Sequence, residues 1–299
     1  MGMSIQIGTA PVSWGVMEID SWGARKPYSD VLDEMAAAGY MGTELGPYGY
    51  FPTDSKQLIR ELSARGLTLV SGFVPVPLAH RQRHLPAIRE VMKVAQLLSE
   101  TGSRVIVLAD ELNEARMSVA GRVSGEDGLD GDSWSSVVEL LTELGQRCRD
   151  FGLATVFHHH AGTYIETPAE IEQLCAAVDP DLIGLCLDTG HYYYAGGNPL
   201  DAVHRYKSRI RHLHLKDVRR PVLESVRRDR IGYLEAIRRG VFCELGKGAV
   251  DFRSVLEELR NYSFHGWAIV EQDIDPAMTG AAPASAFRSR EYLRREVGL

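Results

Sequence analysis

Eight short apolar runs, each followed by a segment of helical spacing, constrain this chain more than any other feature. The runs are SIQIGT (4–9), GTEL (42–45), LTLVSGF (67–73), RVIVLA (104–109), LATVFHH (153–159), LIGLCLD (182–188), RIRHLHLKD (209–217) and WAIVEQD (267–273). Near-continuous Val, Ile and Leu in a strand calls for burial on both faces, which parallel strands covered by helices provide. The intervening segments supply those helices. YSDVLDEMAAAGY places Val31, Met35 and Ala38 on one face, and TDSKQLIRELSARG opens on Thr53 or Asp54 as a cap and closes on Gly66. Eight such units in 299 residues predict an α/β fold of the closed (β/α)8 TIM-barrel type. An open doubly wound sheet would carry a glycine-rich phosphate loop after its first strand, and GTAPVSWG does not match G-x-G-x-x-G. No linker composition divides the chain, so residues 1–299 read as a single domain. The stretch Arg219–Gly240 exceeds a standard connection and predicts an added helix, a candidate lid.

In a barrel of this kind the chemistry gathers where the strands end. Here those ends are polar to an unusual degree. The second strand ends at Glu44, and the fifth runs into His158, His159 and His160, with Glu166 beyond a Gly-Thr turn. The sixth ends at Asp188, the seventh carries His212 and His214 into Lys216 and Asp217, and the eighth reaches Glu271. Asp188 taken alone could be a helix cap, and Lys216-Asp217 a simple ion pair. Of His212 and His214, which share a face by the two-residue period, His214 stands nearer the strand end and is the better ligand. Several carboxylates crowded at one mouth are costly unless a cation separates them, so the pattern predicts a divalent metal. The donors are nitrogen and oxygen without thiolate, which favours Mn²⁺, Co²⁺, Mg²⁺ or Zn²⁺.

Composition narrows the partners. A net charge of -7 argues against nucleic acid, which needs a basic face. No apolar run approaches the roughly 18 residues of a membrane span. The amino-terminal stretch lacks a basic segment followed by a long apolar one, and Cys148, Cys175, Cys186 and Cys243 lie far apart. These features predict a cytoplasmic protein with reduced thiols and a small-molecule substrate. A homo-oligomer is compatible with the chain and not required by it.

Five segments carry a family resemblance: GTELGPYGYFPTD (42–54), FHHHAGTYIET (157–167), GLCLDTGHYYYAGGNP (184–199), RHLHLKDV (211–218) and HGWAIVEQD (265–273). On these the chain resembles the xylose-isomerase-like TIM-barrel superfamily of sugar isomerases, epimerases and dehydratases. Within it, the inosose (2-keto-myo-inositol) dehydratases are the most similar. Carried over by motif position, the resemblance makes Asp188, His214 and Glu271 metal ligands and sets His191 beside Asp188 in the active site. Many relatives end the fifth strand with Glu-x-His, where this chain has His158-His159-His160. Either His158 replaces that glutamate, or Glu166 returns from the loop; the usual set of three carboxylates and one histidine favours Glu166.

The implied chemistry begins with an α-hydroxyketone whose carbon-bound hydrogen a divalent cation acidifies, giving an enediolate. Loss of a β-hydroxyl from it is dehydration of a keto-polyol; reprotonation is isomerisation or epimerisation of a keto-sugar. Proton transfer falls to Glu44, His160, His191 and Lys216, and a histidine-rich mouth tilts the reading toward elimination. Trp14 and Tyr48 are expected to cover a polyol ring, and Lys247 in CELGKGAVD to meet its hydroxyls. An apurinic endonuclease would need more positive charge, and a sugar-binding protein without turnover would not need Asp188, His214 and Glu271 together.

Overall fold

The computed structural model describes residues 5–19, 22 and 25–299. Its strands are β1 (Gln6–Thr9), β2 (Gly42–Glu44), β3 (Thr68–Val76), β4 (Val105–Asp110), β5 (Ala154–His158), β6 (Ile183–Asp188), β7 (Ile210–Leu215), β8 (Asp217–Val218), β9 (Phe242–Cys243) and β10 (Trp267–Val270). Eight of them close a barrel in the order β1-β10-β7-β6-β5-β4-β3-β2, all neighbours parallel. The expected (β/α)8 TIM barrel is therefore present, each predicted run supplying one barrel strand. Ser4, assigned to the first run, lies outside the described residues.

The helices in chain order are α1 (Tyr28–Ala37), α2 (Ser55–Ser63), α3 (His84–Glu100), α4 (Glu114–Val119), α5 (Gly131–Asp150), α6 (Pro168–Ala177), α7 (Thr189–Tyr194), α8 (Pro199–Tyr206), α9 (Arg220–Arg228), α10 (Tyr233–Arg238), α11 (Phe252–Asn261) and α12 (Ala282–Tyr292). Their starts are chemically marked. Asp54 accepts from the Gln57 N–H at the head of α2, and Thr167 with Glu170 forms a capping box at α6. The long connection after β7 holds two helices, α9 and α10, rather than one. It is tied down by β8 pairing antiparallel with β9.

Two layers of apolar packing support the mouth. Between barrel and helices, Leu32, Leu58, Val91, Leu141 and Val203 are fully buried. Inside the barrel, Val107, Val156 and Cys186 form one plug, and Ala10, Val70 and Ile269 another. Side chains thus fill the barrel below its polar rim, so the strand-end groups stand on a rigid floor. Among the described residues no helix is long and apolar enough to cross a membrane.

Candidate active site

The parallel register brings the strand ends level. Asp188 lies opposite His214 across β6 and β7, and His158 lies opposite Cys186 across β5 and β6. Inward alternation then points His158, Asp188, His214 and Glu271 at one another, each at most 7% exposed. One donor atom from each falls within 4.8 Å of the other three. His158 Nε2 is 3.4 Å from Asp188 Oδ2, and His214 Nδ1 is 3.2 Å from Glu271 Oε2. His214 Nδ1 is fully buried and has no hydrogen-bond partner. An orphaned nitrogen facing two carboxylates is what a cation's coordination would satisfy, so the residues present fit a divalent metal.

Asp188 is both a cap and a member of the mouth group. Its Oδ1 accepts the His191 N–H at 2.8 Å, holding the first turn of α7, while Oδ2 faces the cavity. Gly190 makes this close seat available, because a Cβ there would lie 2.6 Å from Lys216 Cβ.

Glu44 adjoins this group at the floor of the mouth. Its Oε1 accepts from Ser71 Oγ at 2.7 Å and lies 2.8 Å from His212 Nε2 and 3.1 Å from His214 Nε2. Burial alone would raise this carboxyl; the imidazoles of His214 and His212 outweigh it and hold Glu44 well below the usual range. A carboxylate on one nitrogen of His214 orients the other toward the cavity.

A second cluster lies on the α7 side. Lys216 Nζ is 2.7 Å from Asp273 Oδ1, 3.1 Å from Glu271, 3.5 Å from Asp188 and 3.0 Å from His191 Nε2. Burial opposes its charge, and Asp273, Asp188 and Glu271 outweigh burial, so Lys216 stays an ammonium. Asp273 also accepts from Tyr233 Oη at 2.9 Å, a hydroxyl that α10 brings in. His160 packs on His191 with ring centroids 3.9 Å apart and the planes tilted by 37°, and its Nδ1 lies 2.8 Å from the Ala161 carbonyl. That bond places the proton on Nδ1 and leaves the Nε2 lone pair; burial pushes this imidazole down to about 4.

Other expected positions fall elsewhere. Glu166 lies outside the candidate metal-binding group, because its two oxygens accept the Gly121 and Gly162 N–H groups at 2.6 and 2.7 Å. Gly162 adopts a left-handed φ of 82°, which turns its N–H onto the carboxylate. The structure thus joins the alternative, His158, to Asp188, His214 and Glu271. Trp14 is wholly buried with Nε1 donating to Glu34 at 2.8 Å, so it belongs to the barrel–α1 packing. Tyr48 is 46% exposed and borders neither mouth cavity. Lys247 stands on an outer groove with Arg219 and Arg220, and the glycines beside it donate to Asp217 rather than to a ligand.

Asp273 and Tyr233 escaped the sequence reading. Asp273 follows Glu271 by the two-residue strand period and could have been found that way; nothing local marks Tyr233, which arrives from an insertion.

A closed parallel barrel with such a mouth defines a class, and the chain belongs to the xylose isomerase-like TIM barrel family, which matches residues 32–296. Among its relatives, the inosose dehydratase of Geobacillus kaustophilus (strain HTA426) is 36% identical over 296 residues, spanning 98% of this chain and 94% of that one. The rhizopine catabolism protein MocC of Rhizobium meliloti is 36% identical over 274 residues, 92% of this chain and 83% of its own. In fold, the solved structure of IolI, a protein with a bound zinc atom, superposes with a TM-score of 0.70 at 17% identity over 98% of both chains.

Proposed function

We propose that this protein is a metal-dependent hydro-lyase that removes water from a keto-polyol, with an inosose as substrate. The observation that carries the reading is the buried His158, Asp188, His214 and Glu271 group with a lysine ammonium beside it. The full-length similarity to inosose dehydratases supports the choice of substrate. Two imidazoles and two carboxylates suit Mn²⁺, Co²⁺ or Zn²⁺ better than Mg²⁺. Such a cation, when bound, supplies Lewis acidity to the ketone and its neighbouring hydroxyl.

The chain's own groups divide the proton work. His160, neutral and with its Nε2 lone pair, takes the proton from the carbon next to the ketone. Lys216, held as an ammonium by three carboxylates, gives a proton to the departing β-hydroxyl. Asp273 and Tyr233 fix where that ammonium stands. His191, packed between Phe242 and Tyr233, keeps water from the two transfer groups.

The test compares metal content and turnover of inosose in wild type and Asp188→Ala. About one metal per chain lost in the variant, together with an ultraviolet-absorbing dione formed by wild type, is the expected result. Metal without dione would move the reading to an isomerase or epimerase. Unchanged metal in Asp188→Ala would remove the ligand assignment.

A further inference from the structure

The mouth holds two adjoining cavities of different character. The inner one, about 50 Å³, is bordered by Glu44, His158, His214, Lys216 and Glu271. The other, about 310 Å³, is walled by Phe73, Pro75, Leu112, Met117 and Leu234. Met17, Glu18, Phe73 and His160 border both, so the two spaces lie side by side against these residues. At about 10–15 Å³ for each enclosed water, the inner hollow has room for only a few water-sized groups. A six-carbon polyol is too large for that hollow alone, and the annex is the neighbouring space that could take the rest of it.

Three acids border the annex: desolvation pushes Glu18 up to about 8, which disfavours its charge, and the other two are already engaged. Asp110 accepts the Leu78 N–H at 3.2 Å and the Tyr164 N–H at 2.9 Å. Glu111 accepts Arg83 Nη2 at 2.9 Å. An ammonium on the ligand would find these two carboxylates occupied, whereas an apolar group would meet Leu112, Met117 and Leu234 directly. These three come from the loop after β4, from α4 and from the α10 insertion.

Resting on the polyol reading above, we infer that the annex is a specificity pocket for an apolar substituent on the ring. The preferred ligands are then alkyl ethers of a cyclic polyol rather than the bare polyol. Burying one methylene tightens binding roughly fourfold, so a propyl group filling the annex should gain tenfold or more.

Calorimetry on the metal-loaded protein would compare myo-inositol with its mono-O-methyl and mono-O-propyl ethers, each positional isomer separately. The expected result is at least one propyl isomer binding tenfold or more tighter than myo-inositol. Leu234→Asp should abolish that gain, and Leu234→Met, which keeps an apolar wall, should retain it. If inosose is dehydrated but no ether binds better than myo-inositol, the pocket assignment falls and the hydro-lyase reading stands. Tighter ether binding without inosose turnover supports the pocket and overturns that reading. No gain from any ether together with no turnover of inosose overturns both.

Discussion

Asp188 ends strand β6 and Glu166 sits in the loop after β5, and both carboxylates are buried to within 1% of complete. Their partners differ in kind. Asp188 gives one oxygen to the His191 N–H and turns the other toward His158, His214 and Lys216. Glu166 has both oxygens taken by main-chain N–H groups of Gly121 and Gly162. Asp217 repeats the second pattern, accepting from Gly246, Gly248 and Val250. A strand end is rigid and aims its side chain across the barrel. A glycine-bearing loop can instead wrap its own backbone around a carboxylate and engage both of its oxygens. Buried carboxylates near a mouth therefore differ in what they have left to offer a cation.

The sharpest way to break this comparison is to exchange the two candidates for the fourth ligand. His158→Ala is expected to weaken divalent-cation binding by more than about 100-fold, since removing a partner behind a ligand already costs about 10–100-fold. Glu166→Gln should leave that affinity within about threefold, because its oxygens face the backbone. Titration against a competing chelator ranks the two directly. The reverse ranking would return Glu166 to the ligand set.

A smaller effect is expected from Glu44→Gln. Glu44 touches His214 on Nε2, the nitrogen opposite the one that faces Glu271, 3.1 Å distant, and shares its oxygen with Ser71 and His212. Loss of its charge should lower cation affinity by about 10–100-fold while leaving the barrel folded. Affinity equal to wild type would show that the Glu44 contact does not tune His214 toward a cation.

The parts legible in the sequence were those that depend on one residue's own chain position. Apolar runs marked all eight barrel strands, and the polar residue closing each run marked Asp188, His214 and Glu271 as neighbours. What escaped depends on loops. Glu166 looked available because its letter is that of a ligand, whereas its partners are main-chain groups 45 and 4 residues away. Trp14 looked like a ring cover because it follows β1, but the chain turns it inward to Glu34 on α1. Tyr233 reaches Asp273 across 40 residues through a helix that no strand pattern announces.

The smallest effect tests what the loop carboxylate does for the fold. Burial pushes Glu166 from 4.5 up to about 7, against the pull of the Gly121 and Gly162 N–H groups. A folded value above the unfolded one means that folding takes up a proton between these limits. The stability contributed by the neutral carboxyl is then complete below about pH 4.5 and lost as pH rises through about 7. Glu166→Gln cannot ionise, so its melting temperature relative to wild type should climb between about pH 5 and pH 8.5, by a few degrees for a chain of this size. A difference that stays flat across that range would mean the two N–H donors outweigh burial and keep Glu166 ionised throughout. In that case the loop stabilises a charge as firmly as the strand ends do, and the contrast with Asp188 would rest on geometry alone.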